Sequence, residues 1–534
     1  MKRILIGAAC AAAVFSLVQP AGAQVREADV TGGRVAGTVA NGIVSFKGVP
    51  FAAPPVGALR WKAPQPVKAW TGVKQATSFG ASCMQDAAMA KLFGAPEGMS
   101  EDCLYLNVWT PAKSTGDALP VMVWIYGGGF VLGQTSVPAY DGTKLAEKGV
   151  VLVSVAYRVG AFGFLAHPDL SRESGKGSGN SGLQDQIAGL QWVKANIAKF
   201  GGDPNRVTIF GESAGGIAVS MLAASPAAKG LFQRAISESG GSFGGAKYSN
   251  EGGVQVPPLK VAEAKGRAFL DKLGATTIDA ARQLDANKLQ AAQGAGLSAT
   301  DSFWPVFDGD VLPGDQYELY QAKRFNDTPI LVGTNSDEGG LFAQPGMTAV
   351  RFEKLVRDGF GPQADAILAA YPHSADAEAA KSTKDVFRES TFAWHTWAWA
   401  MLQTEKGKGK AFVYYFDHRT PRSPNGAGHG SEISYVFKTL GGPEIGLPGP
   451  PPVPRPEDFK ISDLMSSYWV NFAKNGDPNG SGLPAWPAFS PSAQNAMIFD
   501  TMPGARPLPD MAQIKAFDGY YRWLREQAKA HGTH

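Results

Sequence analysis

Residues 119–126 and 150–157 are apolar at nearly every position, while most of the chain mixes apolar and polar residues. Runs of this length without alternation read as strands covered on both faces, because a half-exposed strand alternates with a period of two. Residues 181–200 change the period: Leu183, Ile187, Leu190, Val193 and Ile197 recur on one side of a predicted helix. The β-branched run 207–210 predicts another strand, and residues 216–222 behind it are helix-compatible. Residues 328–333 and 411–416 are two further strand candidates, 255–300 and 347–408 read as mainly helical insertions, and 33–48 is hairpin-like. Strands alternating with helices predict an α/β fold, with a large, mainly parallel sheet and helices on both faces.

The first residues carry Lys2 and Arg3, an apolar run from Ile4 to Val18, and the small residues Ala21-Gly22-Ala23. That pattern predicts a secretory signal peptide over 1–23, leaving 24–534 as a single domain that is soluble and secreted or periplasmic. A membrane anchor is disfavoured, since the apolar run is shorter than the roughly 20 residues a spanning helix needs. No later run is apolar for long enough to span a bilayer, and no linker or internal repeat divides the chain. The proline-rich stretch 447–456 reads as a stiff surface excursion.

With the leader's two cations removed, the 50 basic residues become 48 against 47 acidic ones, so the charge nearly balances. No basic cluster is interleaved with aromatics, so nucleic acid is not an expected partner, and nothing in the sequence sets an oligomeric state. Of three cysteines, Cys10 leaves with the leader. Cys83 and Cys103 are then expected to pair in an oxidising compartment, closing a loop worth about 3 kcal/mol by chain entropy.

Candidate chemistry centres on Gly211-Glu212-Ser213-Ala214-Gly215, between the strand at 207–210 and the helix behind it. A strand turning sharply into a helix lifts one side chain, Ser213, clear of the sheet, and only small flanking residues tolerate the bend. The N–H of Ala214, at the start of that helix, would point at an oxyanion formed on attack by Ser213. A reactive serine needs a base and a carboxylate to orient it. Among seven histidines, His429 lies in a glycine-rich loop, 426–432, after what reads as the last strand. It is the expected base, with His418, at a strand end, in reserve. His167 and His373 adjoin prolines in apparent surface turns, His395 sits among tryptophans in a packed setting, and His531 and His534 are in the tail. Asp337 and Glu338 both follow the strand at 328–333; only one of two adjacent side chains can face the histidine, and both remain candidates. Gly127-Gly128-Gly129 leaves the strand at 119–126 and lets bare backbone N–H groups approach an oxyanion. Its spacing does not fit a dinucleotide-binding turn, and no metal-ligand motif occurs, so no cofactor or metal is expected.

Residues 200–215 read Phe-Gly-Gly-Asp-Pro-Asn-Arg-Val-Thr-Ile-Phe-Gly-Glu-Ser-Ala-Gly, and 101–109 read Glu-Asp-Cys-Leu-Tyr-Leu-Asn-Val-Trp. With 46–61 and 468–478, these segments resemble the signatures of the type-B carboxylesterase and cholinesterase family, and the match extends from about Gly33 to the end. The resemblance implies an α/β-hydrolase fold, a Ser213–His429–Glu338 triad, oxyanion donors at Gly128, Gly129 and Ala214, and the Cys83–Cys103 pairing. It also implies structural ion pairs Arg60–Glu101 and Arg158–Asp185, and a supporting Ser239 near the acid. Cholinesterases carry a tryptophan between the two loop cysteines, but residues 84–102 contain no aromatic beyond Phe93, so choline esters are not the expected substrates. Phe303 and Trp304, with residues near 392–397, are expected to line an apolar, roomy pocket. The implied activity is hydrolysis of a small-molecule carboxylic ester; a catalytically silent binding protein, or an amide or carbamate hydrolase, is the alternative.

Overall fold

The computed structural model of the protein describes residues 24–92, 98–248, 252–293, 303–343, 345–443, 449–450 and 452–530. The expected leader, Phe93, His531 and His534 lie outside the described residues. From the N-terminus the strands are β1 (Glu27–Val30), β2 (Gly33–Ala36), β3 (Thr38–Ala40), β4 (Ile43–Pro50), β5 (Val73–Gln75), β6 (Tyr105–Thr110) and β7 (Leu119–Ile125). They continue as β8 (Val151–Val155), β9 (Gly202–Glu212), β10 (Arg234–Glu238), β11 (Ile330–Asn335), β12 (Ala411–Phe416), β13 (Asn495–Phe499) and β14 (Gly504–Pro507). Eleven of them form one sheet in the order β14-β13-β12-β11-β10-β9-β7-β8-β6-β4-β3, and β1, β2 and β5 make a small sheet of their own. Neighbours from β13 through β8 are parallel, and antiparallel pairs finish both edges.

The all-apolar runs became β7 and β8, interior strands buried almost throughout. β6 was silent in the sequence because it carries Asn107 in its middle. The structure satisfies that amide from both sides: its nitrogen donates to Ser154 Oγ at 2.9 Å and its oxygen accepts the Gly48 N–H at 2.9 Å. Residues 33–48 do not form one hairpin; β2 joins the small sheet, while β3 and β4 pair at the edge of the large one. β13 and β14 follow the glycine-rich loop, so that loop comes after β12 and not after the last strand. Val453 in the proline-rich stretch is 91% exposed, as a surface excursion requires.

The helix Ser181–Asn196 buries Leu183, Ile187, Leu190 and Val193, but also Asp185 and Gln186. Burial of Asp185 is possible because Arg158 meets it with three donors, its backbone N–H at 3.0 Å, Nε at 2.8 Å and Nη2 at 2.7 Å. Arg60 likewise holds Glu101 through Nε at 2.7 Å and Nη2 at 2.6 Å. Cys83 and Cys103 are joined by a disulfide.

From β7 the chain steps to β8 on one flank and then crosses back to β9 on the other. Such a reversal opens a crevice at the carboxyl ends of the strands, where α/β sheets bind ligands. The glycines at 127–129 leave β7, Ser213 leaves β9, Glu338 follows β11 and His429 follows β12. We expect Arg158→Ala, which strands Asp185 in the interior, to lower the unfolding free energy by about 3–5 kcal/mol in urea titrations. A loss under about 1 kcal/mol would mean that the pair is not a net support.

Candidate active site

β9 ends at Glu212, the helix Ala214–Ala224 starts two residues later, and Ser213 sits between them at φ 55°, ψ −124°. Few non-glycine residues occupy that region, and they persist only where surroundings enforce it. Here the Ser213 N–H donates to the Glu238 carbonyl at 2.8 Å, and the Ile217 N–H donates to the Ser213 carbonyl at 2.8 Å. The new helix presses against β7: a Cβ on Gly215 would lie 2.1 Å from the Ile125 carbonyl oxygen. Ser213 is thereby fixed at the floor of the crevice.

The His429 ring stands with Nε2 2.9 Å from Ser213 Oγ and Nδ1 2.6 Å from Glu338 Oε2. Glu338 is fully buried, and its other oxygen accepts the Asn335 N–H at 2.7 Å and the Ser239 hydroxyl at 2.5 Å. Of the two adjacent carboxylates it is therefore Glu338 that faces the ring. Asp337 turns to Lys384 at 3.6 Å, while its N–H donates to the Ala427 carbonyl. An imidazole so placed can take a proton from the serine and hold the resulting charge against Glu338.

The other described histidines are elsewhere. His418 is buried against Asp458 at 2.6 Å. His395 accepts the Phe243 N–H at 3.0 Å, and burial pushes its ring down to about 3, so it is neutral. His373 lies half-buried against the Tyr371 carbonyl. His167, expected in a surface turn, is instead buried and caps the helix Pro168–Ser174 by accepting the Asp169 N–H.

Glu212 was not singled out from the sequence, although it lies inside the serine motif. Its Oε1 is 3.3 Å from His429 Nε2. A charged residue closing an otherwise apolar, buried strand end is the signal that would have found it. Burial disfavours a charged imidazole, yet the carboxylates of Glu212 and Glu338 outweigh that and hold His429 above the ordinary imidazole range. Burial in turn raises Glu212, opposed by His429 and reinforced by Glu338.

Gly128, Gly129 and Ala214 line the same cavity as Ser213. Gly128 has φ 111°, and a Cβ there would lie 2.4 Å from the Leu132 carbonyl oxygen, so a glycine is needed to bring this backbone alongside Ser213. The cavity measures about 410 Å³, and its wall is mostly apolar: Leu132, Val137, Ile217, Val254, Leu341, Phe342, Phe387 and Phe392, with Trp304. Phe303 does not line it; the ring is buried against Phe269, with the Lys265 ammonium over its face. Phe392 belongs to a π-helical turn, Glu389–Ala393, and stacks on His429 at 4.8 Å and 18°. Leu341 and Phe342 reach the wall because the chain turns into a 3-10 helix at Glu338, a change of direction that no periodicity announced. Among the described residues no group of three or more histidines, cysteines or carboxylates is arranged to hold a metal, and no helix is long and apolar enough to cross a membrane.

The model of the carboxylesterase family matches residues 22–513. The chain is 38% identical over 461 residues to the fumonisin B1 esterase of Sphingopyxis macrogoltabida, covering 84% of this chain and 82% of that relative. It is 37% identical over 484 residues to the para-nitrobenzyl esterase of Bacillus subtilis, covering 88% and 94% respectively. A solved structure of a PNB esterase superposes with a TM-score of 0.79 at 33% identity, covering 92% of this chain and 99% of that one. The protein belongs to the carboxylesterase family, with the α/β-hydrolase fold. Its reaction class follows: it is a carboxylic ester hydrolase.

Because Glu212 adds negative charge beside the ring, Glu212→Gln should make His429 easier to deprotonate. An imidazole base works only unprotonated, so the acid limb of the pH profile of kcat/KM should move to lower pH in that variant. A limb that stays in place, or moves to higher pH, would show that Glu212 does not act on the ring.

Proposed function

We propose that the protein hydrolyses carboxylic esters through an acyl-enzyme on Ser213, with His429 as base and acid and Glu338 as its orienting carboxylate. The continuous contact from Ser213 Oγ to His429 to Glu338, at 2.9 and 2.6 Å, carries this reading. His429 Nε2 takes the hydroxyl proton as Ser213 attacks the ester carbonyl. The N–H groups of Gly128, Gly129 and Ala214 stabilise the tetrahedral oxyanion, and the protonated ring then hands its proton to the departing alcohol. Water repeats the sequence on the acyl-enzyme and releases the acid. Ser239 and the Asn335 N–H, both on Glu338 Oε1, keep the carboxylate turned towards the ring.

The apolar wall favours uncharged acyl or alkyl groups over ionic ones, with Trp304 and Phe392 as contacts. Residues 24–534 act as one domain; buried apolar residues from Ala28 to Leu524 form one large cluster, with Ala166, Ala262 and Val306 as a small satellite. The leader-like start and the Cys83–Cys103 disulfide support export to the periplasm or medium. A silent binding protein is the poorer fit, since an unreactive serine needs neither an aligned imidazole nor a strained backbone.

Ser213→Ala should keep the fold by circular dichroism and lose about 10³-fold or more in turnover of an aryl ester. An organophosphonate should label the parent protein once, at Ser213. Undiminished ester cleavage by the purified Ser213→Ala variant would remove the serine from its role.

A further inference from the structure

Glu338 and His429 come from loops 91 residues apart, so their alignment depends on what ties those loops together. Four hydrogen bonds do so beside the carboxylate–imidazole contact itself, one of them from Asn335 Nδ2 to Glu432 Oε2. The Asp337 N–H donates to the Ala427 carbonyl at 2.8 Å, the Ala427 N–H donates to Ser336 Oγ at 2.8 Å, and Asn335 Nδ2 donates to the Gly428 carbonyl at 2.8 Å. Asn335 differs from the other two residues in touching both partners. Its main-chain N–H holds Glu338 Oε1 at 2.7 Å, and its side chain holds the carbonyl immediately before His429.

The amide can face only one way. Both groups in front of it, the Gly428 carbonyl and Glu432 Oε2, are acceptors, and the Nδ2 group donates to each. Turning the amide over would set its oxygen against the Gly428 carbonyl, which can only accept. Asn335 Oδ1 is meanwhile buried with no partner, so the residue is placed for its donors.

We propose that Asn335 is a positioning residue for the reaction: its side chain fixes the histidine loop relative to Glu338, so that the imidazole stays aligned on the Ser213 oxygen. This rests on the triad proposed above. The carboxylates bearing on His429 are Glu212 from the end of β9 and Glu338 from the turn after β11, and Glu432 lies beneath Asn335. Glu238 and Tyr414 complete the ionisable groups around Glu432. Loosening the loop lets the ring drift from both carboxylates that hold its proton, Glu338 at Nδ1 and Glu212 at Nε2.

Asn335→Ala and the isosteric Asn335→Asp test this, with turnover expressed per phosphonate-labelled site so that misfolded protein does not count. Both variants keep the backbone N–H on Glu338 and lose the side-chain donors as they stand. We expect kcat to fall roughly 10- to 100-fold with KM within about twofold, since an ångström of misplacement has effects of that order. The rate of phosphonate labelling should fall alongside kcat, and in Asn335→Ala the acid limb of kcat/KM should move to lower pH. A purely structural role would lower Tm and the labelled fraction while leaving kcat per labelled site and the pH limb unchanged; that result, in either variant that folds, overturns the proposal. Ser213→Ala run in parallel separates the two levels: retained turnover there sinks the triad, whereas lost turnover there beside unaffected Asn335 variants sinks only the positioning role.

Discussion

No side chain fits between the carbonyl of Ile125 and the helix that follows Ser213, and the site is arranged around that close approach. A Cβ at Gly211 would lie 2.5 Å from the Ile125 oxygen, and one at Gly215 nearer still. The missing side chains let the helix start against β7 itself and not a layer above it. Two consequences follow from one steric fact. Ser213 is driven into a backbone conformation that aims its hydroxyl out of the sheet, and the backbone leaving β7 at Gly128 and Gly129 comes to line the same crevice. An α/β sheet already opens at its topological switch point; the elbow places a reactive group there.

Charge is the second organising feature. Four carboxylates, Glu212, Glu238, Glu338 and Glu432, are buried behind a single imidazole, and ionised together they would repel strongly at low dielectric. The structure treats them unequally. Glu338 has donors on both oxygens, from Asn335, Ser239 and His429. Glu238 has only the Trp469 indole on one oxygen, and Glu432 only the Asn335 amide on one. Burial raises Glu238 and Glu432 well out of the usual carboxylate range, which favours their neutral forms and relieves the repulsion within the group. The carboxylate best supplied with donors is the one hydrogen-bonded to Nδ1 of the ring.

The substrate wall is assembled from pieces with no local relation to one another. Leu341 and Phe342 follow the acid, Phe387 and Phe392 come from a helix and its π-helical turn, and Trp304 comes from the far end of an insertion. Arg388 ties two of these pieces together. It pairs with Glu389 at the start of that turn, donates to the Ser336 carbonyl at 2.6 Å and reaches Asp510 at 2.6 Å. The stacking of Phe392 on His429 therefore rests on the same ion cluster that steadies the acid's loop.

Local chemistry made much of this readable in the chain. Unbroken apolar runs forecast β7 and β8, and the glycine–serine motif forecast the elbow, because steric and hydrophobic rules act over a few residues. β6 escaped through Asn107, whose burial is tolerable only beside Gly48 and Ser154, and Glu212 escaped because its neighbour His429 is 217 residues away in sequence. The candidate serine, the candidate histidine and the α/β class were thus legible in residue type and spacing, while the two ion pairs came only from the resemblance to the carboxylesterase family. Residue type and spacing left Asp337 and Glu338 open and only the family resemblance pointed to Glu338; that Trp304 lines the cavity while Phe303 packs on Phe269, and that Asn335 bridges two loops, were decided only by the packed chain. The reason is physical: side-chain direction at such positions is set by contacts between segments far apart in sequence, and those contacts exist only once the sheet has brought its carboxyl ends together.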